Sequence, residues 1–189
     1  MANRQRSGFR PADPATISRL AWFPIVVGNS KTIFVGDVLV NSSGGGVTRA
    51  GADSGTTQVG VCVGLYDTNK IPIGHPMSAV STKHMPISTV GWALVALALP
   101  TAIFIASMGS NTLAATDIFA SADHTDTAGN TTTGVSGHVL NGTTLNTEAN
   151  FRILGLVNDP MNAWGSAYAQ VYVSFLESMW GQVNPTAGV

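Results

Sequence analysis

Apolar and polar positions alternate over short stretches of this chain and then give way to clusters of Gly, Ser, Asn, Thr and Pro, the pattern of strands joined by turns. Ile33-Phe-Val-Gly-Asp-Val-Leu-Val40 predicts a strand closed by the turn cluster Asn41-Ser-Ser-Gly-Gly-Gly46, and Val47-Thr-Arg-Ala50 resumes the extended pattern as a hairpin partner. In Gln58 to Tyr66 the β-branched residues alternate with Gly60, Cys62 and Gly64, so glycines on one face predict close backbone approach or tight curvature. Trp22 to Val27 contains Pro24 and is expected at a sheet edge, because proline cannot donate to a central ladder. Phe151-Arg-Ile-Leu-Gly-Leu-Val157 and Ala169 to Leu176 read as the last strands; in the latter Val171, Val173 and Phe175 alternate with Gln170, Tyr172 and Ser174, a half-buried antiparallel pattern.

The longest apolar run, Trp92 to Ala106, admits a helix or two strands by periodicity alone. Pro100 in its middle would cost a helix about 3 kcal/mol, so two strands meeting at a Leu-Pro-Thr corner are expected, a hairpin-like core element. Ser110 to Phe119 places polar capping residues before an Ala/Leu segment and predicts the one short helix. Ile71 to Pro86, with three prolines, is expected to be irregular or edge structure, and the Thr/Gly/Ser/Asn tract from Asp123 to Asn150 to be a long surface excursion. The fold class is therefore mainly β: a single compact antiparallel β-barrel or β-sandwich over residues 22–176, with an extended arm at 1–21, a tail at 177–189 and at most one short helix.

Only 10% of residues are charged, and a formal net charge of −1 supplies no whole-molecule field for nucleic acid or an anionic membrane. Four of the nine basic residues, Arg4, Arg6, Arg10 and Arg19, crowd the start of the chain as a local basic arm. The apolar run is shorter than the roughly twenty residues a membrane helix needs, and the polar, proline-broken stretch from Arg10 to Arg19 is unlike a secretory leader. Neither a membrane nor a nucleic-acid partner is expected. Cys62 stands alone, which leaves no disulfide framework; between valines and glycines it reads as a buried small hydrophobe.

Reactive constellations are missing from the pattern. Gly28-Asn-Ser-Lys-Thr32 lacks the glycines of a phosphate loop, and Gly134-Val-Ser-Gly137 misses a nucleophile elbow by one residue. His75, His84, His124 and His138 have no ligand spacing, and Asp123-His-Thr-Asp126 lacks the oxygen run of a calcium loop, so no metal, cofactor or catalytic residue is assigned and no enzymatic activity is expected. Trp22, Trp92, Trp164 and Trp180 could stack sugars, but their separation and apolar neighbours favour core or subunit-interface packing.

In Ile33-Phe-Val-Gly-Asp-Val38, Val59-Gly-Val-Cys-Val-Gly64, Trp92 to Ala106, Thr131-Thr-Thr-Gly-Val-Ser-Gly137 and Phe151 to Val157 the chain resembles the cement or decoration proteins of tailed-bacteriophage heads, in order over roughly residues 22–176. Ala93 to Leu99 is more apolar than that pattern. The resemblance implies a β-barrel or β-sandwich, a homotrimer, made in the host cytoplasm and placed on the capsid exterior over junctions between major capsid subunits. It implies that Arg4, Arg6, Arg10 and Arg19 pair with acidic shell surface, that Trp22 and Phe23 are apolar capsid contacts, and that Trp164 and Trp180 serve subunit interfaces. The rivals are another virion part (a tail or head-fibre base, or a shell subunit) and a carbohydrate-binding β-module on the particle.

Overall fold

The computed structural model describes residues 8–52, 58–109, 112–143, 145–146 and 150–181. The chain is mainly β, as the alternation predicts, and forms two antiparallel sheets, one of them curled. In chain order the elements are β1 (Arg10–Pro11), α1 (Pro14–Ile17), β2 (Leu20–Ile25), β3 (Val38–Asn41), β4 (Val47–Arg49), β5 (Gln58–Tyr66), β6 (Gly91–Leu97), β7 (Phe104–Ser107), a 3-10 turn (Ala115–Asp117), β8 (Ser121–His124), β9 (Leu140–Asn141), β10 (Phe151–Leu156) and β11 (Gln170–Phe175). The first sheet runs β1-β7-β11-β10-β8-β9 and the second β2-β6-β5-β3-β4. No helix of the described residues is long and apolar enough to cross a membrane.

Pro24 lies in β2, whose one neighbour is β6, so the missing N–H falls on an edge as expected. At Gly60 a Cβ would stand 2.1 Å from the Ala96 carbonyl oxygen, so only glycine lets β5 approach β6 there. The Trp92–Ala106 run does split into two strands, but they do not pair as a hairpin. β6 belongs to the second sheet and β7 to the first, and the corner around Pro100 carries the chain across. Ala98 and Ala102 in that corner are buried against the core between the sheets, where Val38, Val61 and Ala96 of the second sheet meet Phe104, Phe151, Ile153, Val173 and Phe175 of the first. A second cluster, including Ile25, Leu39, Cys62, Leu65, Met85 and Val95, fills the opposite face of the second sheet.

Five expectations need correction. Residues 8–21 belong to the body rather than to an arm: Phe9 is 2% exposed and stacks on Phe151 with centroids 4.8 Å apart, β1 pairs with β7, and α1 is capped by the Asp13 carboxylate accepting the Thr16 N–H at 2.7 Å. A lone apolar residue between Gly8 and Arg10 has no periodicity to reveal this. The helix expected over 110–119 is only the 3-10 turn, and the short helix is α1. The strand expected from Ile33 begins at Val38, because Gly36 adopts φ 92° and the Asp37 carboxylate accepts the Phe34 N–H, turning the chain there. The tract from Asp123 is no surface excursion throughout, since His124, Ser136, His138 and Leu140 are buried. Glu177 and Ser178, expected in a tail, are buried as well.

Candidate functional site

The register of the second sheet builds the most distinctive surface of the protein. Trp22 lies opposite Leu94, Leu94 opposite Gly64, and Pro24, Trp92 and Tyr66 sit side by side, so these residues share one face of β2, β6 and β5. The same face continues through Ala96 and Val61 into the core between the sheets. At the Trp22 end it is uncovered: Trp22 is 41% exposed and Leu20 38%. Gly64 makes room for the Tyr66 ring, which a Cβ there would meet at 2.9 Å. Tyr66 meets Trp22 edge-on at 4.6 Å, and the Lys70 ammonium stands 5.2 Å from the Trp22 ring centroid and 4.7 Å from that of Trp92.

Beyond Tyr66 the face runs into an open groove of about 460 Å³ between the Pro72–Ile73 segment and the turn that carries Val135, with Val35 and Lys83 at its sides. Its walls are fixed. The Asn130 side chain accepts the N–H groups of Thr132 and Thr133, the Asn130 N–H reaches the Val135 carbonyl, and Ser136 N–H bonds Val35. On the other side Asp67, 1% exposed, accepts from the N–H groups of Ile71, Ala79 and Asn69 and from the Ser78 hydroxyl. Those donors, Ile71 first, hold its carboxyl below the usual carboxylate range.

A second, buried polar cluster ties the 124–138 segment to the second sheet. Arg49 donates to Asp126 at 2.9 Å and to the Thr32 carbonyl at 3.1 Å, and Lys31 pairs with the other Asp126 oxygen. The Val38 N–H donates to Nδ1 of His138, so the neutral imidazole carries its proton on Nε2, 3.9 Å from Asp37 and 3.8 Å from Asp126. His138, then Lys31 and Arg49, hold the Asp126 carboxyl well below its ordinary range, whereas burial raises that of Asp37. His124, its ring 4.9 Å from that of His138, is pushed down to about 3, chiefly by burial. Ser136 serves this cluster with its hydroxyl accepting the backbone N–H of His138 at 3.0 Å. The arrangement fastens loops. His138 and Asp37 are fully buried, and no group of three potential ligands among the described residues is arranged to hold a metal.

The residues singled out by sequence do not converge. Arg4 and Arg6 lie outside the described residues. Arg10, exposed on β1, donates to Gln170, and exposed Arg19 reaches Thr101 at 3.5 Å. Phe23 alternates with Trp22 and points to the other face, partly buried against the second cluster, so this fold spends it on packing. Trp164 packs on the first cluster and Trp180 donates its indole N–H to the Val59 carbonyl at 2.9 Å. Trp22 and Trp92 alone of the four tryptophans share a site. Tyr66, Lys70 and Lys83 were missed; the alternations Leu20-x-Trp22-x-Pro24 and Trp92-x-Leu94 were visible, but not that the strands are neighbours.

The exposed charges are one-sided. Arg10, Arg19, Lys70, Lys83 and Arg152 are all exposed, while Asp37, Asp67, Asp123 and Glu177 are buried, Asp13 and Asp117 are half-buried, Asp126 is engaged by Lys31 and Arg49, and Asp159 is the one carboxylate among the described residues that is exposed. A formal charge of −1 thus coexists with a mostly cationic set of exposed charges among the described residues. The chain matches no protein-family model, no curated protein and no solved structure.

Proposed function

We propose that this chain is a non-enzymatic structural component of a tailed-phage virion, a homotrimer that binds the outer surface of the capsid and bridges neighbouring major capsid subunits. One observation carries the reading: large apolar side chains stand out on a body whose exposed charges among the described residues are mostly cationic, with Lys70 set against Trp22 and Trp92. Trp22, Val27, Met77, Ile87, Phe119 and Met161 are 41–75% exposed. Such a surface suits burial against an acidic partner, and symmetry multiplies a modest contact made by each copy. The acid and base groups that chemistry would need are committed to fastening loops.

The test is co-sedimentation with emptied, expanded heads of the phage that encodes the chain, alongside light scattering of the free protein. Saturable binding with trimer mass is expected, and reversing Arg10 and Arg19 to Glu should weaken it in a salt-dependent way. Because Phe9 is in the core, an arm truncation must stop at residue 7 to leave the body intact. A monomer that fails to sediment with heads at any salt concentration overturns the proposal.

A further inference from the structure

We infer that the uncovered face of the second sheet, from Trp22 and Trp92 across Tyr66 into the groove beside Val135, is a docking site for an extended peptide segment with an apolar centre and acidic flanks. The inference rests on the assembly reading for the source of that segment, a neighbouring shell subunit.

Three features select this occupant. First, the face is a continuation of core-facing sheet: beyond Ala96 and Val61, which the core covers, the same face at Trp22 lacks a covering layer, and a partner that supplies one buries indole, phenol and valine surface together. Trp and Tyr are the side chains that anchor such contacts most strongly. Second, the site is preorganised. Asp67 and Asn130 pin its two walls through several hydrogen bonds each, and the Lys70 backbone is held at φ 61°, so little ordering remains to be done on binding. Third, the charge is uncompensated. Lys70 and Lys83 pair with no carboxylate among the described residues. Asp67, three positions from Lys70, turns its oxygens to its own four donors and makes no ion pair with it. A partner carboxylate reaching Lys70 would gain the ammonium without displacing an internal ion pair.

The same observations disfavour other ligands. A sugar ring needs fixed polar partners for its hydroxyls; here valines wall the groove and no carboxylate or amide side chain lines it. Single-stranded nucleic acid needs a track of cations along its phosphates, and this face offers two lysines, one held over rings.

The experiment uses the full chain and four probes: a fluorescent dodecapeptide with Asp/Glu flanks and a Leu-Pro-Val centre, the same peptide with Lys/Arg flanks, a twelve-residue oligo(dT), and cellohexaose. The acidic peptide should bind at least tenfold more tightly than the basic one, more weakly as salt rises, and should shift the amide resonances of residues 64–73 and 133–135. In the K70E/K83E variant the preference should invert. Trp22→Ala should lose at least tenfold in affinity with the melting temperature kept within a few degrees, since all three side chains are exposed. Equal binding of the two peptides, resonance shifts confined elsewhere, unchanged affinity in K70E/K83E, or binding of oligo(dT) or cellohexaose that Trp22→Ala abolishes would overturn the inference. The peptide assay contains no shell, so its failure leaves head binding to be judged by sedimentation. Conversely, peptide binding without head binding rejects the virion role and keeps the site.

Discussion

Replacing Phe9 by alanine tests whether the start of the chain is body or arm. The ring is 2% exposed, stacked on Phe151 at 4.8 Å and edge-on to His124 at 6.4 Å. A buried aromatic side chain removes about 150–200 Å² from water, worth roughly 4–5 kcal/mol at about 25 cal/mol/Å². Alanine recovers part of that but leaves a cavity, so a loss of about 3–5 kcal/mol is expected. Neighbouring β1 adds backbone reasons why the site cannot collapse freely: the Phe9 N–H bonds the Gly36 carbonyl at 2.9 Å and the Ala12 N–H bonds Ile103 at 2.9 Å. Urea unfolding followed by circular dichroism measures the change, and at about 2–4 °C per kcal/mol for a chain of this size the melting temperature should fall by about 10 °C. Arg10→Ala, at an exposed position, is the control and should cost less than about 0.5 kcal/mol. A Phe9→Ala loss below about 1 kcal/mol would mean that residues 8–12 are a detachable arm and that the core assignment is wrong.

His124 is buried neutral with its pKa near 3, so on acidification the unfolded chain takes up a proton near pH 6.5 that the folded chain refuses. Stability should therefore fall as pH drops from about 6.5 towards 4.5, by on the order of 2 kcal/mol, and His124→Phe should flatten that slope in urea titrations at several pH values. Gly60→Ala should destabilise by about 1–3 kcal/mol, because the new methyl meets the Ala96 oxygen at 2.1 Å; a neutral result in thermal melts would refute the close approach. Phe119 is 71% exposed yet held at φ 70°, a conformation bulky side chains avoid. Phe119→Gly should then raise stability by about 1 kcal/mol in chemical denaturation. Burial raises the Cys62 thiol pKa, so a disulfide reagent should leave it untouched until the chain is unfolded.

Local pattern carried the strands and little else. β2, β5, β10 and β11 follow from alternation, and the edge position of β2 follows from Pro24. Sheet membership did not follow, because an apolar run with a proline corner looks the same whether its halves pair with each other or part to different sheets, as β6 and β7 do. Phe9 and the buried histidines share a reason for escaping notice. Their environment is made by residues distant in sequence: Phe151 for Phe9, and for His138 the Val38 N–H and the Asp37 carboxylate. The aromatic site was half legible. Trp22 and Trp92 stood out as residues, but their meeting with Tyr66 and Lys70 depends on a register that shifts between Cys62 and Gly64, a bulge that period-two reading cannot place.

The bulge, the buried carboxylates and the exposed cations have linked consequences. By shifting register after Cys62, β5 returns Gly64 and Tyr66 to the face shared with Trp92 and Trp22, which gathers the aromatics on one side. Asp67 then ends the strand and, accepting the N–H groups of Ile71 and Ala79, folds the following loop back so that Lys70 stands over the rings. The carboxylate that shapes the site is thereby withdrawn from it. The same division operates at Asp37 and Asp126, which fasten the 124–138 segment forming the groove's far wall. Acidic side chains in this protein hold the backbone in place, and the positive charge they leave uncompensated outside is what an acidic partner would meet.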